Sequence, residues 1–432
     1  MNSTIKNIAV LVLSFVLFGC NGSKEADQGD SPQENMLLSD LEANASNPFL
    51  TKDQLGRSVV NWTEELSGKE GFVVKYAVFD PEGGAFGDII TVEPSRGTSS
   101  HPENMNKVAF KSDGTAVAVY SRKHPTEENR FAGSLLYTLS FDEGLTWTTE
   151  KLLHSDTSRS VGRGYFDLAV LPDGEVGAVW LDGRYGKAYK GSALFFAKTR
   201  GQEGFGEDKA IGESTCECCR TDLYVDRENN LNIVYRDILN DSIRDIVHQF
   251  SADNGTSFSG PRRISHDNWV IDGCPHTGPS LASNSQGLHA VWYTAGGAAG
   301  VYFNSSEDGG KTFSLRNRIS DRARHPQMAA LSDDTLVLVW DEMQSKPSAP
   351  VHAEMRHADH GAPAGGSGIV LQVRNRSAVL DSFTLSSPGV NASFPVLSIL
   401  DGKILVAWSE QAQGKSAIYY RLFDVAVGGD KS

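Results

Sequence analysis

The most persistent pattern along the chain is an apolar strand, a short polar turn, and a second apolar strand that ends in tryptophan or tyrosine. It occurs as VAFKSDGTAVAVY ending at Tyr120, LAVLPDGEVGAVW at Trp180, and LYVDRENNLNIVY at Tyr235. It continues as LASNSQGLHAVW at Trp292, MAALSDDTLVLVW at Trp340, and VLSILDGKILVAW at Trp408. Apolar runs bounded by Gly- and Asp-rich turns read as paired strands, and recurrence at intervals of 48 to 68 residues is the mark of a radial repeat. Six copies predict an all-β fold, a six-bladed β-propeller with about four strands to each blade. FVVKYAVFD and GDIITVEP (72–80 and 88–95) read as outer strands without inner partners, whereas SAIYYRLFDVAV supplies a third strand just before the last residues. N- and C-terminal strands are therefore expected to close one blade together, which hides two sheet edges.

A second repeat runs in step with the first. SFDEGLTW (140–147), SADNGTSF (251–258) and SEDGGKTF (306–313) share Ser-x-Asp-x-Gly-x-Thr/Ser-aromatic. This is turn chemistry: the aspartate accepts backbone N–H groups, the glycine takes a backbone conformation denied to other residues, and the aromatic packs on the sheet. KTRGQEGF (198–205) fills the gap between the first two copies as a decayed version keeping Gly204-Phe205. The box aspartates Asp142, Asp253 and Asp308 are thus expected to be structural. In chain order, these boxes share one face with the SDG-type turns. The loops leading into each first strand, and those joining second to third strands, share the other.

On these boxes and blades the chain resembles the sialidase (neuraminidase) superfamily of Asp-box, or BNR, propellers over about residues 70 to 425. The resemblance implies a pocket on the loop face, an arginine triad that grips a carboxylate, a tyrosine nucleophile assisted by glutamate, and an aspartate acid/base. Catalytic candidates implied are Asp167, Arg220, Asp222, Arg324 and Glu342, and binding candidates are Arg163, Tyr165, Arg184 and Arg236. Where the family has Arg-Ile-Pro before its first blade, this chain has His101-Pro102; where it has the tyrosine, this chain has Ser393-Phe394. An acidic glycan is the partner implied, with exo-α-sialidase hydrolysis as the activity if the site is catalytic.

The N-terminus, MNSTIKNIAVLVLSFVLFGC, has one lysine, an apolar run too short to span a bilayer, and Gly19 before Cys20. It resembles a bacterial lipoprotein signal over 1–20, with lipidation at Cys20 and, from Asn21, sorting to the outer membrane. Residues 21–48 read as a flexible tether and 49–432 as the propeller. A formal charge of −14 argues against nucleic acid as partner and leaves the lipid anchor as the contact with membrane. A monomer is expected.

Outside the cytoplasm, the remaining cysteines take on weight. STCECCRTDL (214–223) carries Cys216, Cys218 and Cys219, and DGCPHTGPS carries Cys274 and His276 on the next loop of the same face. One bridge from Cys274 to the cluster is easily built; two would force a strained short-range disulfide. The alternative is a metal site. His325 and the loop residues His352, Met355, His357 and His360 add imidazole and thioether, a ligand set suited to copper or another transition metal. The second reading of the chain is therefore a non-catalytic, metal-handling propeller.

Overall fold

The computed structural model describes residues 34–344 and 366–424, apart from 272, 274 and 413. Among these, every sheet is antiparallel, and four-stranded units follow one another along the chain. Alternation explains them: in Ser280–Asn284 and Gly287–Thr294, for example, side chains on both faces of the hairpin are buried between neighbouring sheets.

The units number seven. Blade one is Ala45–Lys52, Ser58–Glu65 and Phe72–Asp80, with Ile90–Thr91 outside. Blades two to five open on the inner strands Lys107–Phe110, Arg163–Val170, Asp222–Val225 and Ser280–Asn284. Blades six and seven open on Ala323–Ala330 and Asn391–Leu400. Blades three and four are linked by one residue pair, Thr215 with Asp237, and otherwise stand as separate sheets. Seven apolar clusters lie between successive blades, and the one holding Val60, Trp62, Ala407 and Ile418 joins blade seven to blade one. The ring is closed.

The six hairpins read from the sequence are blades two to seven. The seventh, missed there, is ASNPFLTKDQLGRSVVNW, ending at the fully buried Trp62. FVVKYAVFD is its third strand, pairing with Ser58–Glu65, and is not an outer strand of the last blade. The closure shared by the termini is present but uses Met36–Leu37, which pairs with Tyr419 and Tyr420. Residues 34–48, assigned above to the tether, therefore belong to the propeller.

The octapeptides form the expected turns. In the first, Asp142 accepts from the Thr146 N–H at 2.9 Å, and Ser140 Oγ accepts from the Gly144 N–H at 2.8 Å. Each box also fastens blades. Trp147 packs edge-on to Tyr76, Phe205 to Tyr137, Phe258 to Phe196 and Phe313 to His248, each on the third strand of the preceding blade. The box glycine lies against that same ring: a Cβ at Gly144, where φ is +90°, would overlap Tyr76. Indole–acid pairs repeat as well. Trp180, Trp340 and Trp408 donate Nε1–H to Asp182, Glu342 and Glu410 two residues on, at 3.1, 2.7 and 3.1 Å.

A candidate active site at the channel mouth

Four inner strands begin with an irregularity in register, and each places one non-glycine residue at positive φ: Asn47, Tyr165, His325 and Phe394. His276, on the loop into blade five, is also left-handed at φ 48°. Such residues are strained, and strain at matching places around a ring marks a surface shaped for use. With His101 these side chains gather at the loop-face end of the channel. The His101 ring stands 5.7 Å from Tyr165, edge to face, and 6.2 Å from His276. His325 stacks 4.1 Å from Phe394.

Beneath them, Glu103 crosses between blades. Its carboxylate lies 3.0 Å from Arg220 Nε and 3.3 Å from His325 Nε2, and His325 Nδ1 lies 2.8 Å from Asp341. Burial pushes Glu103 up, against the opposing charges of Arg220 and His325. Burial also acts on Asp341, but His325 outweighs it and holds that carboxyl below its usual range. The Glu103 N–H donates to His101 Nδ1 at 3.1 Å, so a neutral His101 carries its proton on Nε2. Glu103 escaped the sequence reading because the stretch at His101-Pro102 was weighed only against the family's Arg-Ile-Pro. A carboxylate two residues from His101 was the signal available.

The candidate acids have other occupations. Asp167 accepts from the Leu223 N–H at 2.8 Å and pairs with Lys107 at 3.0 Å; Asp222 accepts from the Leu281 N–H at 2.5 Å. Ser280 does the same for Met328 at 3.2 Å, so this position stitches the inner strands of blades three, four and five each to the next. Burial, then the neighbouring Asp167, pushes Asp222 up to about 8. Glu342 is held by Trp340 of its own strand and by Ser320 and Arg322, at the end of blade five and on the link into blade six.

Nor do the arginines assemble as a triad. Arg163 is bound by Asp156 and Asp182, and Arg184 by Asp182 and Asp208. Arg236 is spent on three carbonyls, those of Arg244, Thr277 and Tyr293. Arg220 faces Glu103. Arg324 alone among these candidates has no carboxylate or carbonyl cage among the described residues; it donates to the Ala323 carbonyl and lies 4.0 Å over the Tyr293 ring.

The three clustered cysteines do come together. Cys216 Sγ is 3.8 Å from Cys218 Sγ and 3.7 Å from Cys219 Sγ, all three are buried, and they are not joined in a disulfide. Tyr165 and Ile238 pack against them. Burial pushes the Cys219 thiol up, but hydrogen bonds from Cys216 and Cys218 and the Arg236 charge outweigh it and hold the thiol below its usual value. Cys20, Cys274, His352, Met355, His357 and His360 lie outside the described residues. His276 and His325, named above as metal ligands, belong to the channel mouth, and His325 already has a carboxylate at each nitrogen.

No protein-family model matches the sequence, and a search of curated proteins finds no match. Solved structures do resemble it. A protein of unknown function from Dyadobacter fermentans DSM 18053 is 15% identical, covers 90% of this chain and 97% of its own, and gives a TM-score of 0.50. Polysaccharide lyase Uly1 is 11% identical over 93% of this chain and 94% of its own, with a TM-score of 0.54. The Hadza microbial sialidase Hz136 is 12% identical over 82% of this chain and 73% of its own, at 0.49. At such identities the likeness to the first two is one of fold alone, and the fold of this chain is an all-β propeller.

Proposed function

We propose that the channel mouth acts on an acidic polysaccharide, by proton transfer at a uronate and not through a glycosyl–enzyme intermediate. The observation that carries this reading is the meeting of His101, Tyr165 and His276 above the buried Glu103. A uronate is cleaved by elimination when the C5 proton is removed, its electron pair forms the C4=C5 double bond, and the C4–O4 bond breaks with protonation of the leaving oxygen. The chemistry needs a donor to the carboxylate, which makes the C5 proton acidic, and one group to move the proton. His101 Nε2–H and Arg324 suit the first task and the Tyr165 oxygen the second: as phenolate it takes the proton at C5, and as phenol it delivers that proton to O4, which returns the phenolate. Sialoside hydrolysis asks for a carboxylate-gripping triad, and of the candidate arginines all but Arg324 are bound elsewhere. Uly1, of like fold, is a polysaccharide lyase, and that accords with this reading without assigning it. Export and lipidation at Cys20, placing the site in the cell envelope, are part of the same proposal.

The test is a panel of uronate polysaccharides followed by the ultraviolet absorbance of the unsaturated product, with a fluorogenic sialoside alongside. Unsaturated uronate formed by wild type and lost in Tyr165→Phe supports the proposal. Turnover of the sialoside alone would restore hydrolysis, and glycan binding without turnover of either would make this a lectin-like propeller.

A further inference from the structure

The cysteine cluster has no part in that reaction, and its geometry is specific. A disulfide brings two sulfurs to about 2.05 Å. Sulfurs in van der Waals contact would be indifferent to their number and direction. Four ligands held about 2.3 Å from a zinc ion at tetrahedral corners stand about 3.8 Å from one another. The Cys216–Cys218 and Cys216–Cys219 separations are 3.8 and 3.7 Å, and all three sulfurs lie within 4.8 Å of one another. Two edges of one face of such a tetrahedron are matched, and the third, Cys218 to Cys219, is no longer than 4.8 Å.

Charge points the same way. Arg244 Nη1, in a residue that is 4% exposed, lies between Cys216 Sγ at 3.0 Å and the Glu217 carboxylate at 3.1 Å. Arg236, whose carbonyl accepts the Cys216 N–H at 2.9 Å, is 1% exposed and has no carboxylate within ion-pair distance among the described residues. A buried guanidinium facing only carbonyls is costly unless an anion stands near it. Three neutral thiols do not supply one. Thiolates do, and their mutual repulsion at this spacing is relieved by a cation among them.

We infer that Cys216, Cys218 and Cys219 form a trithiolate seat for one soft d10 cation, zinc or cuprous ion, which pins the loop that carries Arg220. Thiolate is the ligand type that selects such ions over magnesium or calcium. Cys219 is bonded directly to Arg220, so fixing the sulfur fixes the start of the side chain that reaches Glu103 across the channel. The loop is well placed to need a pin: the cluster lies next to the single residue pair that links blades three and four. This site is independent of the elimination chemistry, because its occupancy is read on protein without any substrate.

The experiment begins with full-length mature protein purified without chelator or histidine tag, analysed for metals by plasma mass spectrometry. About one equivalent of zinc or of copper per chain is expected, and which of the two is found names the ion. Cobalt(II) added to metal-stripped protein should give the intense near-ultraviolet thiolate-to-cobalt absorption together with visible bands of tetrahedral intensity; the cuprous arm is read as thiolate–copper luminescence. Cys216→Ser should abolish both the bound metal and these spectra. Should that variant fail to fold, the stripped wild type serves instead: its melting temperature should rise when zinc chloride or a cuprous acetonitrile complex is added, because a ligand of the folded state stabilises it by mass action. Protein that carries no metal, shows no thiolate absorption with cobalt and does not change its melting temperature with either ion overturns the inference. So does peptide mapping that finds Cys216 and Cys219 joined in a disulfide.

Discussion

The Glu103 carboxylate faces Arg220 at 3.0 Å and His325 at 3.3 Å, so one acid from the loop before blade two holds groups from blades four and six. Both Glu103 and Arg220 are almost wholly out of solvent. Removing one member of a buried pair strands the other charge, and Glu103→Gln should therefore cost about 3 to 5 kcal/mol in chemical denaturation. A loss below about 1 kcal/mol would show that the crossing contact carries little of the ring's stability.

His101→Ala and Tyr165→Phe should each lower turnover of a uronate polysaccharide by about 100-fold or more while leaving the melting temperature nearly unchanged. Both groups are partly exposed at the mouth, and Tyr165→Phe keeps the ring that packs on the cysteine cluster. Asp167→Asn, by contrast, should act mainly on stability, since Asp167 bonds the neighbouring strand and Lys107.

Asp222 gives a prediction in pH. Its folded-state value, pushed up to about 8, lies above the ordinary aspartate value of about 3.9. Between the two, the folded chain keeps a proton that the unfolded chain has lost. This contribution to stability is whole below about pH 4 and is lost as pH rises through about 8. Asp222→Asn removes the titration, so the variant should gain on wild type with rising pH across that window in paired melting curves. Parallel curves for the two proteins would show that Asp222 is ionised in the folded state.

Gly144→Ala should destabilise by more than about 1 kcal/mol, since φ is +90° and the added carbon meets Tyr76. Gly84→Ala, also at positive φ but facing open space, separates the two causes: the excess loss at Gly144 measures the blade contact.

The propeller was legible because its repeat is written in residues with one physical task each: a turn glycine, a capping aspartate, an indole at a strand end. Blade one was not, because SNPFLTKDQLGRS has no SDG-type turn and its polar residues match those of a tether. Ser46 and Asn47 nonetheless bond Ser100 on the way to blade two, and the Asn47 N–H donates to Ser409 of blade seven, a bond that only the closed ring provides. The site was legible in its parts. His101, Tyr165, Arg220 and His325 could each be seen, but what brings them together is Glu103, whose partners lie more than a hundred positions further along the chain. The acids favoured at strand ends, Asp167, Asp222 and Glu342, look alike in sequence whether they face a substrate or a neighbouring amide. Geometry alone separates the two.

Met36 pairs with Tyr420, so the first strand of the ring waits for the last. Each of the other blades folds from neighbouring hairpins, whereas blade seven is completed by residues drawn from opposite ends of the chain. During synthesis the outer edge of Lys415–Asp424 meets its partner only after every other blade has emerged. Such non-local pairing is slow. Until it forms, the chain is an open arc with an unpaired strand edge at its end, and that interval is when it is most prone to pair with another copy of itself.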